Sequence, residues 1–252
     1  MLKSIFPKGI SAIAVATCLT AVISCSLLSP PEGNPDAPLR YSWSFTNDTF
    51  GWMGGFADFP VSSNGQPLDT SIYEFQAGHR ALPSGLGTGK ALYIQSHNRS
   101  DDVFMFFKRR LTGLQPSKRY QIQYSVRFAS DAASGSVGIG GSPAEAVILK
   151  AGASTTEPLA VNRNGFVEMN IDKGTQSEGS TSAFVLGNIG VELLGGATFA
   201  FKTLSSETFN RDLIATTSAD GSLWLFVGTD SGFEGLTQLY YDNITVTLTL
   251  RE

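Results

Sequence analysis

Cysteine is nearly missing from this chain: of 252 residues two are cysteines, Cys18 and Cys25, and none lies beyond position 25. Most of the sequence therefore has no internal disulfide to hold it, and a thiol enzyme is nearly excluded. Histidine is as scarce. His79 and His97 stand apart and match no H-x-x-x-H spacing, so an imidazole zinc site has no ligand set. Charged residues make up only 16% of the chain, and acids outnumber bases by 22 to 18. That balance argues against nucleic acid or an anionic membrane face as partner, since both are gripped through a basic patch.

Catalytic motifs are also lacking. Gly140-Gly141-Ser142-Pro143-Ala144 is similar to a nucleophile elbow, but alanine stands where the last glycine belongs and no alternating strand–helix pattern surrounds it. Glu74, Glu145, Glu168 and Glu234 are carboxylates of the type glycoside hydrolysis needs, yet nothing in their spacing pairs two of them.

What is present begins at the N-terminus. Lys3 and Lys8 precede an apolar run from Ile10 to Ile23, interrupted by Ser11, Thr17, Cys18 and Thr20. The run is too short and too polar for a membrane span, which takes about 20 apolar residues, so a cleaved signal peptide over residues 1–24 is expected. Val22-Ile23-Ser24-Cys25 resembles the bacterial lipobox, more closely than Val15-Ala16-Thr17-Cys18 does. The resemblance implies that Cys25 is acylated and becomes the mature N-terminus. It also implies a cell-envelope location, with Ser26 after the cysteine favouring the outer membrane if the cell has one. Loss of Lys3 and Lys8 leaves 16 basic side chains against 22 acidic ones, a mature charge near −6.

Residues 25–39 then read as a tether. Leu27 to Leu39 holds four prolines and no periodicity, a semi-rigid spacer of about 40 Å at roughly 3.1 Å per residue. Residues 40–252 form one domain, with no repeat and no second shift of composition.

Strand signals dominate that domain. Tyr120, Ile122, Tyr124, Val126 and Phe128 alternate with polar residues, as do Ile244, Val246, Leu248 and Leu250 with threonines, the period of a half-buried strand. Shorter strands are expected at Tyr41 to Thr46, Ala91 to Ser96, Val103 to Leu111, Ala146 to Lys150, Phe166 to Ile171, Thr198 to Lys202 and Leu223 to Gly228, with a loop from Lys173 to Ser182. The expected class is all-β: an antiparallel sandwich with long loops. Three segments carry a resemblance as well. Trp43 to Asp48 with Gly51-Trp52, Leu111 to Pro116 leading into Tyr120, and Tyr240 to Val246 are similar to carbohydrate-binding jelly-roll modules of the galactose-binding-like type. The resemblance implies a jelly roll and a carbohydrate ligand.

Three groups of site residues are expected. Trp52 lies in a glycine-bearing stretch with Phe56 and Phe59, where an aromatic face could stack on a sugar ring or fold into a loop mini-core. His97, Asn98, Arg99, Asp101 and Asp102 belong to the densest run of hydrogen-bonding side chains in the chain, suited to sugar hydroxyls or to capping a turn. Trp224, within an apolar strand, is expected in the core. Finally, Asp242 shares strand parity with Ile244, Val246 and Leu248, which points a carboxylate inward. With Asn47 and Asp48 at the end of the first strand it would offer an all-oxygen set for a structural calcium ion, or be satisfied by backbone N–H groups. The jelly-roll modules usually place an acid where Asn47 stands, which weakens the site.

The expected function is a lipid-anchored, non-catalytic binding domain for glycan or another extracellular polymer. The alternatives are a structural envelope lipoprotein with a protein partner and a polysaccharide-active enzyme.

Overall fold

The computed structural model describes residues 37–209 and 213–251; the signal segment, Cys25 and most of the tether lie outside the described residues. Strands β1 (Leu39–Ser44), β2 (Met53–Ala57) and the two-residue β3 (Phe59–Pro60), β4 (Ser62–Ser63) and β5 (Gln66–Pro67) open the fold. Next come β6 (Gln76–Ala81), β7 (Lys90–His97), β8 (Val103–Leu111), β9 (Arg119–Ser130), β10 (Val147–Ser154), β11 (Ala160–Arg163) and β12 (Phe166–Met169). Strands β13 (Ala183–Asn188), β14 (Ala200–Ser205), β15 (Leu213–Thr216), β16 (Leu223–Ser231) and β17 (Leu236–Arg251) complete it.

Two sheets face each other as an antiparallel sandwich of jelly-roll type, the expected class. The seven-stranded sheet runs β14-β9-β17-β7-β6, with β1 also on β17 and β15 also on β9; the five-stranded sheet runs β13-β10-β16-β8-β2. Alternation builds the space between them. From β9 come Ile122, Tyr124, Val126 and Phe128, and from β17 Ile244, Val246 and Leu248; Met105, Phe107, Leu149, Leu225 and Val227 meet them from the other sheet. Each such side chain contributes roughly 1.5–3 kcal/mol on burial. The Tyr124 hydroxyl, fully buried, donates to the Gly152 carbonyl at 2.6 Å and so satisfies its polar end across the core.

The five-stranded sheet is buried on both faces, which explains why β8 reads Val-Phe-Met-Phe-Phe rather than alternating. Its outer face carries Phe104, Phe106 and Phe226, and the β11–β12 hairpin with the segment after it lays Val167, Met169 and Ile171 over them. Gly152 makes this layer possible: a Cβ there would lie 2.1 Å from the Phe226 ring.

The strands that alternation did not announce, β2, β6, β13 and β15, are edge strands. β2 (Met-Gly-Gly-Phe-Ala) and β6 (Gln-Ala-Gly-His-Arg-Ala) are interrupted by glycine, while β13 and β15 are only six and four residues long, so none shows a sustained alternation.

Candidate functional site

Asp58 follows β2, Asp102 precedes β8, and the outer-face positions of β10 and β16 supply Lys150 and Asp230. Lys173 reaches them from the covering segment. The carboxylate oxygens of Asp58, Asp102 and Asp230 come within 4.8 Å of one another. Lys150 Nζ lies 2.7 Å and Lys173 Nζ 2.8 Å from Asp230 Oδ2, and Lys173 Nζ is 2.9 Å from Asp58 Oδ2. Lys150 also donates to the Lys173 carbonyl at 3.2 Å, tying the cover to the sheet. Lys150 and Asp230 are wholly inaccessible to solvent.

Three carboxylates against two ammoniums leave one negative charge in excess. With all three ionised, Asp102 Oδ1 and Asp230 Oδ1 have no donor, while Asp58 Oδ2 is ion-paired with Lys173. A proton on Asp102 donated to Asp230 removes both the excess charge and the mismatch. Burial first, then the bond to Asp230 and its charge, push the Asp102 carboxyl up to about 7. Burial likewise raises Asp58. The lysines differ although they share Asp230: burial lowers Lys150, whereas Lys173, opposed by the same burial, is held above its usual value by Asp230 and Asp58 together. By distance alone the three acids would surround a metal ion, but the two ammoniums already hold the cation positions, so the donor set does not fit a metal.

Above this floor lies an open cleft of about 410 Å³ lined by Asp58, Asp102 and Lys173 below and by Arg163, Phe166, Glu168, Asn170, Asp172 and Thr175 at its walls. Arg163 and Glu168 pair at 3.0 Å, both largely exposed. Phe166 keeps 37% of its surface exposed. Asn170 Oδ1 accepts from the Leu159 amide at 2.8 Å and its Nδ2 donates to the Glu157 carbonyl at 2.9 Å, so the wall is stiffened by its own backbone. The cleft combines one open aromatic ring with donors and acceptors of both signs, which is what hydroxyl-rich ligands need.

The expected site residues distribute themselves differently. Of the polar run, only Asp102 enters the cleft. His97 Nδ1 is 3.1 Å and Arg99 Nη2 3.6 Å from Glu74 Oε1, on another flank. Asn98 is buried, donating to the Ser231 carbonyl at 2.7 Å and accepting from the Ser100 amide at 3.1 Å. Asp101 takes a left-handed conformation (φ 66°), and its carbonyl accepts from Gln176 at 3.1 Å. The run therefore joins three places instead of forming one site.

Trp52 requires a correction. It is 4% exposed, and its ring meets Trp43 and Phe45 edge-on at 5.6 and 6.4 Å, so it belongs to the core and is no exposed platform. The turn before β2 tucks it beneath the sandwich edge. Phe56 and Phe59 stack at 4.5 Å and gather Tyr73, the loop mini-core that stood as the alternative. Trp224, expected in the core, is half-buried on the outer face, 5.6 Å below Lys108 Nζ.

The inward carboxylate is corrected too. A bulge between Tyr241 and Asn243 in the pairing with β9 reverses the parity of β17, so Tyr241 points inward and Asp242 ion-pairs with Arg127 on the outward face. Asn47 and Asp48 are exposed in the turn after β1, where Asp48 Oδ1 accepts from the Phe50 amide at 2.9 Å. The calcium argument loses the inward carboxylate on which it rested.

No family model matches the chain, and no curated protein matches it in sequence. Solved structures do resemble it in fold. A carbohydrate-binding module characterised for mannan recognition aligns over 86% of this chain and 99% of that one, at 12% identity and a TM-score of 0.41. A xylan-binding domain from Paenibacillus barcinonensis aligns over 84% and 94%, at 12% identity and a TM-score of 0.38. The enzymatically active domain of a bacteriophage tailspike aligns over 82% of this chain, at 11% identity and a TM-score of 0.34, but this chain spans only 20% of that one.

Proposed function

We propose that this protein is a lipid-anchored, extracytoplasmic glycan-binding domain without catalytic activity, and that its ligand lies in the cleft over the five-stranded sheet. The observation that carries the reading is the exposed Phe166 ring beside Arg163, Glu168, Asp172 and Thr175, above a floor whose charges are locked into one another. A ring face stacks on a pyranose while the flanking side chains take its hydroxyls.

An oligosaccharide array probed with the mature protein tests this. Binding is expected, and Phe166→Ala is expected to weaken it about two- to tenfold, the worth of one aromatic contact, with little change in the unfolding midpoint because the ring is open. Binding that ignores Phe166→Ala, or release of shortened products, sinks the reading.

The anchor rests on the lipobox resemblance at Cys25. Mass spectrometry of the mature N-terminus is expected to find a diacylated Cys25, and extraction to require detergent; a Cys25→Ala protein that stays membrane-bound and normally processed rejects it. Ser26, rather than an aspartate, after the cysteine supports an outer-membrane destination in a two-membrane cell.

A further inference from the structure

The cleft over the five-stranded sheet lacks positive charge. Four carboxylates line it, Asp58, Asp102, Glu168 and Asp172, against two cationic side chains, Arg163 and Lys173. Both cations are engaged already: Arg163 pairs with Glu168 at 3.0 Å, and Lys173 lies 2.9 Å from Asp58 and 2.8 Å from Asp230. Asp102 and Asp172 form no ion pair among the described residues. Asp172 is exposed, and its Oδ1 accepts from the Gly174 amide at 3.0 Å, a turn bond that leaves its charge unmatched. Of the three clustered acids Asp58 and Asp230 are buried, and only Asp102 keeps part of its surface open. The shortfall of one cation among three carboxylates and two ammoniums therefore surfaces at Asp102, inside the cleft.

We propose that the cleft selects an amino-sugar chain, hexosamine units whose ammonium groups are met by Asp102 and Asp172 while a ring stacks on Phe166. A neutral glycan offers these carboxylates hydroxyl donors but no charge, and a uronate adds a charge of the wrong sign. An ammonium supplies the donors and the missing charge together, and a hydrogen bond between ionised partners is roughly twice as strong as a neutral one. The cluster itself responds to the shortfall. Asp102 is pushed up to about 7, so near neutrality a proton takes the place of the missing cation. The charged groups that face it are Asp58 after β2, Asp230 on β16 and Lys173 from the covering segment, with Lys150 on β10 acting on it from beyond Asp230. A ligand ammonium beside Asp102 takes over the proton's role and drives that proton off.

The ligand class rests on the glycan reading above, and the experiment separates the two. Calorimetry of the mature protein at about pH 6, where a free amine is charged, compares the β-1,4-linked glucosamine trimer with the same trimer fully N-acetylated. The amine form is expected to bind about tenfold tighter or more, to lose that advantage as salt is raised, and to release protons on binding, read as a heat that varies with the ionisation enthalpy of the buffer. Asp172→Asn should cut the preference about two- to fivefold, and Asp102→Asn should abolish the proton release. Both substitutions spare the fold: the amide oxygen at 172 still accepts from the Gly174 amide, and the amide at 102 donates to Asp230 as the protonated carboxyl does. Equal binding of the two trimers, a preference unchanged when both acids are replaced, or a heat independent of buffer overturns the assignment. If neither trimer binds while a neutral glycan binds through Phe166, the amine is rejected and the reading of the cleft stands; if no glycan binds at all, both fall.

Discussion

Lys150→Met is expected to destabilise the domain by about 3–5 kcal/mol, the usual cost of removing one partner from a buried ion pair. Lys150 and Asp230 are both fully buried, so no water reaches in to solvate the carboxylate that is left. Lys173 remains against Asp230, but it already serves Asp58, and with Asp102 ionised the excess negative charge of the cluster rises from one to two. The hydrogen bond from Lys150 to the Lys173 carbonyl is lost with it, loosening the covering segment. Thermal unfolding reads this directly, since about 1 kcal/mol moves the midpoint by roughly 2–4 °C in a domain of this size. A second substitution separates charge from packing. In Lys150→Met with Asp230→Asn the remaining charges, Lys173 against Asp58 and Asp102, return to an excess of one, and more than half of the lost stability should be recovered. A single variant costing less than about 1 kcal/mol, or a double variant no better than the single, would falsify the account of the cluster as a coupled charge lock.

That cluster was the least legible part of the chain. Asp58, Asp102, Lys150, Lys173 and Asp230 are spread over most of the domain, and no local spacing links them; only the register of β10 with β16 and the placement of the cover bring them together. One trace existed. Lys150 closes the apolar run expected from Ala146 and Asp230 follows the one expected from Leu223 to Gly228; both runs extend into strands buried on both faces, where a charge needs a partner. Central strands were legible because each buries one or both faces completely, as in β8, β9 and β17. Of the edge strands β1 and β14 were legible, whereas β2, β6, β13 and β15 were not, being short or interrupted by glycine. The aromatic stretch around Trp52 illustrates the limit of composition: glycines on either side allow both an open platform and a tucked ring, and the contact with Trp43 and Phe45 decides between them. For Asp242 the sequence did contain the warning. Leu239 and Tyr241 keep one parity and Ile244, Val246 and Leu248 the other, so two adjacent polar residues between the sets mark a bulge.

The domain is expected to be more stable at pH 5 than at pH 8, with Asp102 as the principal cause. Its carboxyl is pushed up to about 7 in the folded protein, against 3.8 as the ordinary value. Between these two pH values the folded state holds a proton that the unfolded chain has released, so stability is greatest near and below pH 4 and falls as pH rises through about 7. Burial raises Asp58 in the same direction and adds to the slope. The groups around Asp102 fix the sign: Asp230 and Asp58 carry like charge, Lys173 opposes them, and burial disfavours the ion throughout. Carboxylates shifted downward, such as Asp220, act at the acid end and do not reverse this window. Because Asp102 keeps some contact with the cleft, solvent screening takes part of the effect; a fall in midpoint of at least about 3 °C from pH 5 to pH 8 remains, by the scale of roughly 2–4 °C per kcal/mol. Asp102→Asn isolates the cause, since its amide donates to Asp230 as the protonated carboxyl does but cannot ionise. That variant should unfold at nearly the same temperature across the window and exceed the parent protein at pH 8. A parent midpoint that rises with pH, or an Asp102→Asn variant that keeps the full slope, removes the shared proton from the cluster.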